Sequence, residues 1–328
     1  MQNQGCDKKT ADFLLTSWGT GTRKVYNTYL NQWNTFCIIH KINKFNPAVF
    51  EVCKFLRSLS ERNLSFGAVN AARCALSVLL PTLKNGNTMG KNYWVTRACK
   101  SAYKIRPPVP KYPTFWDVSI VFNMIKSWGK NEFMCFEMLA KKLVILILLV
   151  TGQRGQLITA LLLSELIWTH KGCARFQLKT LMKTAKTGQP LEVVVLDPYP
   201  QQPLLCVVAT LKAYLKATAG FRIKTIKGKI VKYDKLMLSY RFPNKPIGRD
   251  SVSRWVLWVL RRAKISKNFR AHSLRGAGTS KAAKLGVGIN KLLNYGSWRS
   301  EKTMARHYQK DIETGPGKSV SQAILDDA

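Results

Sequence analysis

Four residues near the end of the chain have the types and order to attack a phosphate ester: His272, Arg275 three positions on, Trp298, and Tyr308 ten positions after that. Attack on a phosphodiester needs a nucleophile, cations to neutralise charge gathering on the non-bridging oxygens, and an acid to protonate the leaving oxygen. Tyr308 offers the nucleophilic hydroxyl. An unperturbed tyrosine ionises only near pH ~10, so it needs cations around it. Arginine suits that task because its guanidinium stays charged and grips a phosphate with two parallel donors. Arg275 is one candidate, and Arg154, closing Thr151-Gly152-Gln153-Arg154 far upstream, is the second. Lys186, at the head of a Lys-Thr-Gly turn, stands where the tip of a hairpin can carry a proton into a groove.

Each of these residues has a plainer use. His-x-x-Arg occurs by chance in many helices, Arg154 can cap a helix junction, and Trp298 can be ordinary core. Lys179 and Lys183 share the stretch with Lys186, and their spacing alone does not decide which lysine reaches a site. It is the complete series in one order that points to phosphate chemistry. The eight cysteines include no Cys-x-x-Cys pair and no histidine cluster accompanies them, so neither a zinc site nor a disulfide framework is expected, and no cofactor is called for. Most of the cysteines read as fillers of apolar helix faces in a reducing compartment.

The elements that must hold these residues divide the chain. After a polar, loosely held stretch over residues 1–20, Val25, Tyr26, Tyr29, Leu30, Trp33, Phe36 and Cys37 recur at helical spacing. Asn46 as a cap and Pro47 in the first turn open a second helix. Two more run over about 65–80 and 94–105. Four amphipathic helices make a small all-α domain over 1–105. Arg106-Pro107-Pro108-Val109-Pro110-Lys111-Tyr112-Pro113 removes backbone donors and favours extended chain, so 106–113 reads as a linker.

A second domain over 114–312 begins with helices at 114–128, 132–150 and 156–163. The apolar run Leu143–Val150 in the second of these is too short to cross a bilayer, which takes ~20 residues, and reads as a buried helix. The pattern then turns β over 166–169, 176–186 and 191–196, a short antiparallel meander with lysines at its tip. Helices return at 204–217 and at 251–264, the latter capped by Asp250 or Ser251. A basic, poorly patterned segment lies at 220–235, and Ser300 caps the helix that displays Tyr308. The fold class expected is mainly α with a small antiparallel β-meander. Residues 313–328 form a tail, broken at Gly315-Pro316-Gly317, that can dock on a neighbouring copy.

Lys and Arg number 53 against 17 Asp and Glu, a net charge of +36. A compact chain so charged repels itself, so a polyanion is the expected partner, with double-stranded DNA first. Both halves contribute: 16 basic against 4 acidic residues up to Pro110, and 37 against 13 beyond. That is what gripping both faces of a duplex requires. The N-terminus carries no apolar signal segment, which argues for an intracellular protein, nuclear in a eukaryote and cytoplasmic otherwise.

Arg154, Lys186, the His272/Arg275 pair, Trp298 and Tyr308 together resemble the active-site set of the tyrosine recombinase (phage integrase-like) family, which shares its catalytic fold with type IB topoisomerases. The resemblance covers roughly 114–312. The N-terminal helices are similar to the family's core-binding domain in architecture only. Thr-Gly-Gln-Arg-x-Gln at 151–156 and Trp-x-Ser-x-x-Thr ahead of His-Tyr at 298–308 look like the eukaryotic mobile-element branch of DIRS, Ngaro or Crypton type. The resemblance implies metal-free cleavage through a 3′-phosphotyrosine with Tyr308 as nucleophile. It further implies site-specific recombination that integrates or excises a mobile element, by a dimer at each site and a tetramer in synapsis. Two departures stand out. Many relatives place an acid three residues after the first arginine, where this chain has Leu157 with Gln156 as a possible substitute. Many also carry a histidine where this chain has Trp298, and an indole donates one hydrogen bond but moves no protons. A nicking and resealing topoisomerase and a non-catalytic DNA-binding descendant are the alternatives.

Overall fold

The computed structural model describes residues 6–183, 185, 187–226, 229–298, 300–308 and 310–313. Lys186 and the tail beyond Glu313 lie outside the described residues. The chain divides into two units, Met1–Pro110 and Lys111–Ala328.

The N-terminal unit is all helical: α1 (Lys8–Leu15), α2 (Thr20–His40), α3 (Val49–Glu61), α4 (Phe66–Leu79) and α5 (Tyr93–Ile105). The helix α1 occupies the stretch expected to be loose. Asp7 caps it by accepting from Thr10 N at 2.6 Å, yet it buries no side chain. The helix α3 begins later than Asn46 and Pro47 suggest: Ala48 is its cap residue, and the Glu51 carboxylate accepts from Ala48 N at 2.7 Å. Ser65 caps α4 as an N-cap serine should. α2 packs on α4 and α3 on α5, enclosing Trp33, Val52, Phe55, Leu56, Leu59, Val69, Leu76 and Val95. Each such side chain adds about 1.5–3 kcal/mol by leaving water.

The C-terminal unit opens with a short strand, β1 (Phe115–Trp116), where a continuous helix over 114–128 was expected. Asp117 accepts from Ser119 N at 2.9 Å and so starts α6 (Val118–Ser127) only after the strand. Next come α7 (Phe136–Thr151), buried from Leu139 to Leu149, and the single turn and a half of α8 (Gln156–Ala160). β2 (Leu166–Trp168), β3 (Ala174–Gln177) and β4 (Val193–Leu196) form an antiparallel sheet in that order, with Phe176 opposite both Leu166 and Val194. The β3 strand ends at Gln177, and just beyond it Leu178 N still bonds across, to Glu192 O. α9 (Val207–Thr218) lies on α7. The segment read as unpatterned forms a hairpin, β5 (Ile223–Ile226) with β6 (Lys229–Lys232). Buried Arg222 holds its base by donating to the carbonyls of Lys235 and Leu236, at 3.0 Å each.

α10 (Arg249–Arg262) follows Gly248, and neither Asp250 nor Ser251 caps it, because both fall inside its first turn. α11 (Ser273–Lys284), α12 (Ile289–Tyr295) and α13 (Glu301–Tyr308) complete the helices, and β7 (Ile312–Glu313) returns to pair in parallel with β1. A large core joins α6 to α11 and the sheet, while Leu292, Trp298 and Met304 centre a separate small one. The architecture is thus mainly helical with a small antiparallel sheet. All eight cysteines are free thiols, but only Cys37, Cys99 and Cys206 are buried, so fewer serve as core than expected. Among the described residues no helix is long and apolar enough to cross a membrane.

Candidate active site

The site is assembled where the turns after α7 and α12 and the end of α13 meet the start of α11. The first is the turn after α7. Gly152 ends that helix with φ 58°, a left-handed conformation natural to glycine, and a Cβ there would overlap the Tyr295 ring. The glycine therefore lets the chain reverse tightly against α12 and present Arg154 two residues later. Arg154 is half-buried, and its guanidinium donates no hydrogen bond among the described residues.

His272 is the residue before the first turn of α11, and Arg275 lies within that turn. Arg275 is only 2 % exposed. Its Nη1 donates to Gly152 O at 2.9 Å and its Nη2 to Gly296 O, while Nε has no partner among the described residues. The guanidinium lies 3.9 Å from the centre of the Trp298 ring and 5.0 Å from that of Tyr308. Burial and then the nearby Arg154 charge push its pKa down to about 10, which still leaves it cationic at neutral pH.

Trp298 is placed by the turn after α12, where its N–H bonds to Leu293 O at 2.9 Å. A Cβ on Gly296 would overlap the indole, so glycine there allows the ring to fold back on its own turn. The indole Nε1 is buried without a partner among the described residues.

Tyr308 ends α13, a helix begun by Ser300, whose Oγ accepts from Thr303 N at 3.3 Å. Ser280 of α11 pins the end of that helix, donating to Tyr308 O at 2.9 Å and accepting from Lys310 N at 3.1 Å. The phenol is thereby delivered to the histidine, with Tyr308 Oη 2.9 Å from His272 Nε2 and the two rings edge to face. The protein packed round the imidazole, and then the charges of Arg275, Arg154, Lys111 and Lys183, push the His272 pKa down to about 4, even though the residue keeps part of its surface exposed. At neutral pH His272 is therefore uncharged and one of its ring nitrogens can accept a proton.

Arg154, His272 and Arg275 line one cleft of about 220 Å³, together with Gln153, Gln156, Arg249 and Ser253. Tyr308 and Trp298 reach it through their contacts with Arg275 and His272. Five of the six residues expected from the sequence are therefore brought together, and the sixth, Lys186, lies outside the described residues. Lys183, from the same stretch, adds to the positive field at His272, whereas Lys179 is spent on Glu165 at 3.3 Å. Gln156 lines the cleft with the arginines, and its amide nitrogen donates to Leu181 O at 3.3 Å. Arg249 and Tyr295 escaped the sequence reading. Arg249 shows only as a basic residue at a helix start. Tyr295 shows only through the glycines that make room for it, Gly152 and Gly278.

The cleft brings two guanidiniums together with a tyrosine hydroxyl that lies within hydrogen-bond distance of a histidine. The fold is that of the tyrosine recombinases. It is similar to the XerH site-specific recombinase bound to difH substrate in a pre-cleavage complex (TM-score 0.53, 16% identity, 80% of this chain and 68% of that one). It is also similar to the Tn1549 transposon integrase in complex with circular intermediate DNA (0.53, 13%, 92% and 93%). A third is a lambda integrase dimer bound to a COC′ core site (0.54, 12%, 95% and 79%). At such identities the likeness is one of fold. No protein-family model matches the chain, and no curated protein is similar to it in sequence.

Proposed function

We propose that this chain is a site-specific DNA recombinase that cuts and rejoins strands with Tyr308 as nucleophile. The observation that carries the reading is the 2.9 Å approach of the Tyr308 hydroxyl to His272 beside buried Arg275. In the cut, Tyr308 Oη bonds to the phosphorus and its proton passes to His272. The bond from phosphorus to the 5′ oxygen breaks, leaving a 3′-phosphotyrosine. The departing oxygen takes a proton from Lys186 and becomes a 5′ hydroxyl. Rejoining runs the same steps backwards with the 5′ hydroxyl of another strand. Arg154 and Arg275 neutralise the charge on the non-bridging oxygens, so the step needs no metal ion. Burial first, and the cationic field added to it, hold His272 near 4 and oppose its protonation. An incoming phosphate cancels part of that field and makes the histidine a better base.

The Thr-Gly-Gln-Arg-x-Gln and Trp-x-Ser-x-x-Thr patterns support a place in the eukaryotic mobile-element branch, acting on its element's DNA in the nucleus. Each copy offers one tyrosine and recombination cuts four strands, so a dimer per site and a tetramer in synapsis follow. The N-terminal helical unit serves as the second DNA-binding domain, its charge supplying affinity without sequence choice.

The test uses nicked suicide duplexes bearing the ends of the element that encodes the chain. Wild type forms a covalent adduct on denaturing gels, in EDTA as well as without it, and Tyr308→Phe forms none, a loss of at least ~10⁴-fold. Binding without any adduct would instead mark a non-catalytic DNA-binding protein. An adduct that survives Tyr308→Phe would show that another residue is the nucleophile.

A further inference from the structure

Arg275 is held by carbonyls from two distant turns, Gly152 after α7 and Gly296 after α12. The residues following those glycines are themselves joined, since Gln153 Nε2 donates to Ser297 Oγ at 2.7 Å. The Ser297 hydroxyl in turn points to Glu192 Oε2 at 3.5 Å, one residue before β4. Ser297 has φ 50°, a region where glycine is at ease and other residues are uncommon. The backbone therefore gains nothing from serine there, and what serine adds is its hydroxyl.

We propose that Gln153 and Ser297 are positioning residues for Arg275: their hydrogen bond staples together the two turns whose carbonyls hold the guanidinium, and Glu192 ties the staple to the sheet. The physical need comes from where the turns are rooted. Gly152 follows Leu149, which belongs to the large core, whereas Gly296 lies between Leu292 and Trp298 of the small one. Tyr295 ties the roots of the two turns by donating to Leu149 O, but beyond the two glycines it is the Gln153–Ser297 bond that joins the turns. The guanidinium is a planar, rigid fork, so when its two acceptors drift apart it must turn, and its remaining donors turn with it. Misplacement by ~1 Å is enough to cost ~100-fold in rate. The catalytic consequence rests on the proposed function, while the structural role does not.

The test takes three full-length variants. Ser297→Gly relaxes the turn and removes the hydroxyl, Gln153→Met keeps the length and removes the donor, and the third combines both. Solvent exchange of the Arg275 Nε–H proton is followed by NMR, the signal being assigned by its loss in Arg275→Lys, together with DNA affinity and single-turnover cleavage. Ser297→Gly should melt no lower than wild type and bind DNA as well. Its Arg275 proton should exchange about tenfold faster and its cleavage slow by about tenfold, the scale of a hydrogen bond in a charged network. Gln153→Met should match it, and the double variant should lose no more than either single one. Wild-type exchange in Ser297→Gly overturns the inference whether or not the protein cuts DNA, and so do additive losses in the double variant. Faster exchange in a protein whose wild type forms no adduct would sink the proposed function and leave the staple standing.

Discussion

The C-terminal unit carries two cores of unequal size, and the site is divided between them. α7, α9, α10 and the first turns of α11 belong to a large core that extends over much of the unit. Trp298 and Tyr308 belong to a small one centred on Leu292, Trp298 and Met304. Arg154 thus follows α7 and Arg275 lies in α11, both elements of the large core. Tyr308, the proposed nucleophile, rides on a short helix with a handful of buried neighbours, and elements of that kind open locally at much lower cost. The small core is moored by a few bonds: Tyr295 Oη to Leu149 O, Ser280 to the end of α13, and the pairing of β7 with β1. Under the proposed function, a tyrosine that engages DNA and later lets go fits the looser body. A cation that must never move fits the tighter one.

The largest effect should follow from disturbing the tight half. Arg275→Lys replaces a fork that spans two carbonyls with a point charge that cannot, and single-turnover cleavage should fall by about 10³-fold; a rate near that of wild type would break the division of labour. Met304 is fully buried in the small core. Met304→Ala should cost about 2–5 kcal/mol there. Hydrogen exchange should quicken through α12 and α13 and leave α7 unchanged, whereas an equal rise in α7 would mean the two cores open as one.

Within the large core, adjacent lysines give a sharper contrast. Lys141 bonds to Glu137 and lies 3.5 Å from the centre of the Trp258 ring. Lys142 is fully buried, its Nζ has no partner among the described residues, and burial pushes its pKa down to about 8. A lysine whose folded-state pKa lies below its ordinary 10.5 penalises the fold while it stays charged, so stability should rise as pH goes from 8 to 10.5. Lys142→Met should therefore stabilise the unit by about 3 kcal/mol at pH 7 and flatten that rise, as melts at pH 7 and pH 10 would reveal. The smallest effect is read at His272. Its folded-state pKa of about 4 lies below the ordinary 6.5, so it binds its proton after the unfolded chain does, and its contribution to stability is lost as pH falls from 6.5 to 4. In a titration by NMR the value should rise once duplex DNA is bound, and an unchanged value would mean that no phosphate enters its field.

Much of the framework is legible in the sequence where one physical signal dominates. Helices α2 to α5 announce themselves by apolar residues at helical spacing, and α7 by a long apolar run. Elsewhere a local bond overrides the pattern. Asp117 starts a helix only after β1, and Glu51 rather than Asn46 satisfies the entry to α3. The hairpin at β5 and β6 is hidden because its lysine-rich strands lack an apolar alternation. Arg154, His272, Arg275, Trp298 and Tyr308 could be picked out because side-chain chemistry is written in residue type.

Residue type and order alone supply the inventory: a tyrosine hydroxyl, two guanidiniums, a histidine and an indole in a fixed order, on a chain of net charge +36. Only the tertiary structure decided how Arg275 is held. Its acceptors are the carbonyls of Gly152 and Gly296, 123 and 21 residues away. Every residue carries a carbonyl, so no pattern of side chains marks which two will be used. That choice is made when two turns, rooted in two different cores, are brought within reach of one arginine.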